Sequence, residues 1–163
     1  MADESHRYGA FRRILFCTDF SENADLAFEF ALQEALHSPA PNIHLLHAIP
    51  EPEAQFWKTY IYEVEDIDEK AKNDIDKKIE QTYLSRVPEG VTFEVEMRIG
   101  RDYLAILEFA DEIDADLIIM GRQGRTALRT VLFGSVTEKI VRRANCPVLV
   151  IPLSFEEKLG WTR

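Results

Sequence analysis

Five short apolar runs, separated by segments of helical periodicity, limit what this chain can fold into. Arg13 to Thr18 (RILFCT) is the first run and ends at Asp19. Ile43 to Ile49 is the second, stopped by Pro50 and Pro52. Val91 to Met97 alternates apolar with polar residues, as a strand covered on one side does, and Gly100 breaks it. Asp116 to Met120 (DLIIM) and Pro147 to Ile151 (PVLVI) are rich in β-branched and apolar residues, as strands covered on both faces are. Between the runs the period changes. Ser21 is placed as an N-cap, with Glu22 in the first turn, and Leu26, Ala27, Phe30, Ala31 and Leu32 recur up to about Leu36. From Tyr60 to Arg86, Ile61, Val64, Ile67, Ala71, Ile75, Ile79 and Tyr83 form one apolar stripe on a long helix whose other face is Asp, Glu and Lys. Leu104, Leu107, Phe109, Ala110 and Ile113 mark a third helix. Ser135 to Glu138 (SVTE) has the form of a capping box and opens a fourth, running to about Ala144. Strand then helix, repeated and closed by a strand, predicts an α/β fold. It is an open, doubly wound, parallel five-stranded sheet with helices on both faces.

The 163 residues suit one domain over 1–163, with a core of about 11–152 and a short C-terminal extension, 153–163. No apolar run approaches the ~20 residues of a membrane span. The N-terminal stretch is polar and lacks the apolar centre of a secretion signal, so the cytoplasm is the expected compartment. A net charge of −10 argues against nonspecific binding to nucleic acid or an anionic membrane, which needs a basic face. Cys17 and Cys146 fit no metal or redox spacing. Neither has an evident partner base, so they read as buried thiols rather than nucleophiles. His44 and His47, three apart on a strand, point to opposite faces, which speaks against a metal site there.

Against that acidic background, Gly121 to Ser135 (GRQGRTALRTVLFGS) gathers three glycines and three arginines directly after the fourth strand. In open α/β sheets ligands bind beyond the C-terminal ends of the strands, where the strand order reverses. Asp19, Ala48 to Pro50 and the Gly121 to Ser135 segment are expected to converge there. Gly121 and Gly124 can bring backbone N–H groups close to an anion, and Gly134-Ser135 opens a helix whose free N–H groups favour one. The same glycines also fit simple turns. Arg122, Arg125 and Arg129 fit either a screen for phosphate charge or a solvated surface. Neither GxxxxGK[ST] nor a GxGxxG after the first strand is present, which excludes the commonest phosphate loop and the dinucleotide fingerprint.

At these residues the chain resembles the universal stress proteins. Nucleotide-binding members of that family carry Gly-x2-Gly-x9-Gly-Ser/Thr, and Gly121, Gly124, Gly134 and Ser135 fit that spacing without a gap. Ile14 to Ser21 looks like the family's opening strand and its Asp, and Leu45 to Ile49 like its second strand. Asp116 to Gly121 and Cys146 to Ile151 look like its fourth and fifth. The likeness covers about residues 11 to 152. It implies an adenine nucleotide alpha hydrolase-like fold with ATP, accompanied by Mg²⁺, in the crevice. On this resemblance Asp19 meets the ribose or adenine, the backbone near Ala48 meets the adenine edge, and Met120 and Gly121 line the ribose side. Gly124, Gly134, Ser135 and Val136 hold the phosphates. Cys17, Thr18 and Arg125 complete the expected nucleotide-contacting set. Two departures bear on the base: Cys17 stands where many members have proline, and Ala48 where a larger aliphatic is common. The resemblance also implies a homodimer through Val148 to Ile151.

Three functions of different class follow. The first is a cytoplasmic ATP-binding sensor or regulator of the stress response. The second is a slow ATPase or nucleotidyl transferase, for which no general base or metal cage is evident in the sequence. The third is an interaction protein that does not use nucleotide, against which the intact glycine motif speaks.

Overall fold

A computed structural model describes residues 11–50, 66–123 and 134–160. The elements are β1 (Arg13–Cys17), α1 (Glu22–Leu36), β2 (Asn42–Pro50), α2 (Asp66–Thr82), a 3₁₀ turn (Leu84–Arg86), β3 (Thr92–Gly100), α3 (Asp102–Glu112), β4 (Leu117–Gly121), α4 (Ser135–Arg143), β5 (Val148–Ile151) and α5 (Phe155–Lys158). All strand pairs are parallel, in the order β3-β2-β1-β4-β5. The order turns at β1, so the chain winds outward first to one side and then to the other. The α/β fold expected from the alternation is the one observed.

Alternation along the strands divides the core in two. Ile14 and Phe16 of β1 lie with Ile43, Leu45, Leu117 and Ile119 on the face covered by α1 and the end of α2. Leu15 and Cys17 lie with Leu46, Ile118 and Met120 on the face covered by α3 and α4. The internal strands therefore bury both sets of side chains, which is why their sequences carry no polar alternation. Ile75, Ile79 and Tyr83, the described members of the long helical stripe, pack on the α1 face, while Asp74, Asp76, Lys77 and Lys78 are exposed. The stretch from Tyr60 to Glu65, where that helix was also expected, lies outside the described residues.

Two boundaries differ from the sequence reading. β3 runs on past Met97 to Gly100, and β2 runs on through Pro50, because the two strands stay paired to Pro50↔Gly100. The proline is tolerated for a geometric reason. The Leu46 carbonyl accepts the Thr18 N–H at 3.0 Å, so Leu46, Ala48 and Pro50 face the β1 side. β1 ends at Cys17, and the N–H that Pro50 lacks has no ladder partner to lose there. The tail also does more than extend. Leu153 and Leu159 pack on the α1-face core, and the Phe155 ring lies 5.8 Å from that of Phe30.

Candidate functional site

The strand order reverses between β1 and β4, and the crevice beyond their C-terminal ends is where the expected residues meet. β1 passes into α1 through a tight turn. Ser21 caps α1 as its sequence predicts, its Oγ accepting the Ala24 N–H at 3.1 Å. Asp19 is held by its own turn, with Oδ1 accepting the Ser21 N–H at 3.0 Å. Between them Phe20 adopts φ 59°, a left-handed conformation that costs a bulky residue about 1–2 kcal/mol. Local contacts hold it there. The Phe20 N–H donates to Thr18 Oγ1 at 3.0 Å, its ring lies 4.7 Å from that of His47, and the Lys78 ammonium sits 4.6 Å over it. His47 Nδ1 is 2.9 Å from the Thr18 carbonyl. His44 lies on the other face against Phe109, as the spacing of the two histidines requires, and burial there pushes its imidazole down.

Ala48 contributes main chain. It faces the same side as Leu46, two residues beyond the last β1 pair, so its N–H and C=O lie along the crevice rather than in the β1 ladder. That suits recognition of a planar heterocycle edge by backbone groups. Cys17 and Met120, the last residue of β1 and the next to last of β4, are buried in the α3-face core. Burial, with Cys146 adding to it, pushes the Cys17 thiol up to about 12, which leaves it protonated and inert.

The β4 end is built by residues that the sequence does not single out. Asn23, buried in the first turn of α1, donates from Nδ2 to the Ile151 carbonyl at 2.7 Å and accepts the Gln123 N–H on Oδ1 at 3.0 Å. One side chain thus ties α1, the end of β5 and the start of the glycine segment together. Gly121 is required by that clamp: a Cβ there would lie 2.8 Å from Asn23 Cγ and 3.1 Å from the Asn23 carbonyl carbon. Its absent side chain has a packing reason in addition to any ligand. Thr137, also buried, donates from Oγ1 to the Gly121 carbonyl at 3.2 Å and fixes α4 to β4. No local motif marks Asn23 or Thr137, because their partners are far away in the chain.

Gly124 and Arg125 lie outside the described residues, and so does Arg129. The two ends of that segment are joined: the Arg122 N–H donates to the Ile151 carbonyl at 2.8 Å, and the Gly134 N–H to the Arg122 carbonyl at 2.9 Å. α4 begins one residue earlier than the capping-box pattern requires. Gly134 is the N-cap, no side chain caps the helix, and Ser135 is its exposed first residue. The expected capping box is therefore not formed; from the first helical position the Ser135 hydroxyl is past the place an N-cap oxygen occupies. Among the described residues no side chain caps the first turn, whose N–H groups, those of Ser135 and partly buried Val136 among them, have no intrahelical acceptor. The Arg122 Nε is buried and meets no hydrogen-bond partner among the described residues. A depression of about 250 Å³, lined by Leu107, Asp111, Arg143, Asn145 and Cys146 among others, lies at the opposite end of the sheet and shares no residue with the crevice.

A doubly wound parallel sheet with Asp19 in the turn after β1, the Ala48 main chain beyond the β1 ladder and the N-terminus of α4 after β4 defines an α/β protein with a crevice at its strand-order reversal, where ligands of such sheets bind. The chain belongs to the universal stress protein family: the model of that family matches residues 10–152. It is 31% identical over 156 residues to universal stress protein MJ0577 of Methanocaldococcus jannaschii, covering 86% of this chain and 94% of that one. The solved structure of MJ0577 superposes with a TM-score of 0.72, covering 88% of this chain and 96% of that chain. A putative universal stress protein of Staphylococcus aureus is 31% identical over 163 residues, covering 94% of each. The universal stress protein of Archaeoglobus fulgidus, solved in complex with dAMP, is 26% identical with a TM-score of 0.56, covering 87% of this chain and 98% of that one.

Proposed function

We propose that this universal stress protein binds ATP, with Mg²⁺ on its phosphates, and acts as a nucleotide-dependent regulator of a stress response in the cytoplasm. The observation that carries the reading is the juxtaposition of three unlike recognition elements at one strand-order reversal. Asp19 stands in a fixed turn at the end of β1, the Ala48 main chain lies beyond the β1 ladder, and the N-terminus of α4 is tied to the main chain of Arg122, whose Nε has no hydrogen-bond partner among the described residues. The first two suit a nucleoside, and the last suits its phosphates. A buried cationic donor without an acceptor costs about 1–3 kcal/mol, which an anionic ligand at the α4 mouth would offset. The dAMP complex of the Archaeoglobus fulgidus relative supports an adenine nucleotide as the ligand. In this reading Gly124 and Arg125 complete the phosphate side, with Gly134, Ser135 and Val136, while Thr18, Asp19, Met120 and Gly121 enclose the nucleoside above Cys17.

Asp19 serves to hold the nucleoside and does not act as a base. Asp19→Ala is expected to lose affinity for adenosine and ATP in the same proportion, measured by calorimetric titration. An Asp19→Ala protein that binds ATP normally but has lost a hydrolytic activity of the wild type would replace this reading with the enzymatic one.

We further propose a homodimer through β5. β5 is an edge strand and its four residues, VLVI, are all apolar. The opposite edge, β3, instead carries Glu94, Glu96 and Arg98, charges that deter pairing. Two β5 edges meeting about a two-fold axis would satisfy the free backbone groups, with Pro147 and Pro152 limiting the pairing. Leu149→Lys is expected to convert dimers to monomers in light scattering. A wild-type chain already monomeric at tens of micromolar would remove the dimer.

A further inference from the structure

We propose that Tyr83, beyond the C-terminal end of α2, is a positioning residue for the nucleoside side of the crevice, acting through Thr18 on the strained turn that carries Asp19. This rests on the adenine-nucleotide reading of the site. Tyr83 is fully buried, 65 positions from Thr18 in sequence, yet its hydroxyl oxygen lies 2.6 Å from Thr18 Oγ1. The same hydroxyl donates to Asp25 Oδ1 of α1 at 2.9 Å. A carboxylate only accepts, so the single phenolic hydrogen goes to Asp25, and Thr18 must donate to Tyr83. Thr18 Oγ1 in turn accepts the Phe20 N–H at 3.0 Å. The result is a directional chain, Phe20 N–H to Thr18 to Tyr83 to Asp25, with every donor used. Burial, with Asp25 and Asp19 adding to it, pushes the phenol up from its usual range, so it remains a neutral donor.

The placement of this chain gives it a consequence for the site. Phe20 is at φ 59°, and its neighbours on either side are Asp19 and the helix cap Ser21. A non-glycine residue stays in that region only when its surroundings over-determine it. The Phe20 N–H to Thr18 bond is one restraint, and the Phe20 ring, 6.1 Å from the Tyr83 ring and 28° from parallel to it, is another. Tyr83 supports both. Its ring also packs against Phe16 at 5.4 Å and Phe28 at 4.8 Å, so the phenol is anchored in the core and can serve as a fixed reference for the turn. The chain leaving α2 thereby supplies a residue that contacts the turn carrying Asp19, which gives this segment a role in the site in addition to covering the sheet.

The test separates positioning from stability. Tyr83→Phe keeps the ring and removes only the hydroxyl. At a temperature where the variant is fully folded, it should bind adenosine about fivefold more weakly, the size of one neutral hydrogen bond, and ATP in the same proportion. Thr18→Val should give a similar loss, and the double variant should lose less than the sum, because both changes cut the same chain. The Phe20 amide hydrogen should also exchange faster in Tyr83→Phe without any ligand present. Ile106→Val, a core change on the α3 face of the sheet, away from Tyr83 and its hydrogen-bonded chain, should lower Tm and leave adenosine affinity within twofold. A Tyr83→Phe protein that binds adenosine as the wild type does, with Phe20 exchange unchanged, would overturn the proposal alone. A wild-type chain that binds no adenine nucleotide would overturn the reading of the site and this proposal with it.

Discussion

Arg122→Gln is expected to bind ATP at least tenfold more weakly than the wild type, while adenosine affinity changes by less than twofold. Arg122 is the first residue beyond β4, and its main chain is held between the end of β5 and the N-cap of α4. The root of its side chain is therefore fixed at the helix mouth. Its Nε is buried and unpartnered among the described residues, in a chain with a net charge of −10 where carboxylates are plentiful. A charge-assisted hydrogen bond to phosphate is worth about 1.5–3 kcal/mol, and the lower figure already exceeds a tenfold change. Glutamine keeps a polar side chain and removes the charge, so the loss should fall on ATP and spare adenosine. Raising the salt concentration should weaken ATP binding to the wild type more than to the variant. Equal ATP affinity in the two proteins would leave the Arg122 side chain without a role in the site.

The second large effect is on stability. Gly121→Ala should destabilise the fold by about 2–3 kcal/mol, because the new methyl group overpacks a site that cannot give way. The 2.8 Å contact would be with Asn23 Cγ, an atom held from both sides by the hydrogen bonds to Ile151 and Gln123. For a chain of this size that loss lowers Tm by roughly 4–12 °C. Asn23→Ala removes the obstacle together with its bonds, so adding it to Gly121→Ala should cost less than the two changes taken separately. An unchanged Tm in Gly121→Ala would mean that α1 can move away from β4, and the glycine would then be explained by ligand approach alone.

These two positions show what the sequence discloses and what it withholds. The parallel sheet is legible because strands buried on both faces must be apolar throughout, and the runs ending at Cys17, Met120 and Ile151 meet that demand. Gly121, Gly124, Gly134 and Ser135 are legible as a group because their spacing follows directly on a strand. The reason for each is less legible. Gly121 reads as backbone freedom for an anion, whereas its nearest constraint is Asn23, almost a hundred residues earlier. Ser135 to Glu138 reads as a capping box, yet α4 starts from Gly134, because local pattern fixes a helix start only to within a residue or two. Pro50 reads as a strand terminator, but β1 ends before the missing N–H matters. Tyr83 reads as one more apolar stripe residue, since periodicity records its ring and is silent about its hydroxyl. For Gly121, Pro50 and Tyr83 the deciding partner is distant in sequence.

The measurement that bears most directly on the account is calorimetric titration of the nucleotide-free wild-type chain with ATP and Mg²⁺, beside ADP, AMP and adenosine. Saturable binding of one ATP per chain is expected, with weaker binding of adenosine and a difference between the two that narrows in Arg122→Gln. A folded chain that takes up none of these ligands, or that binds adenosine as tightly as ATP, would contradict it.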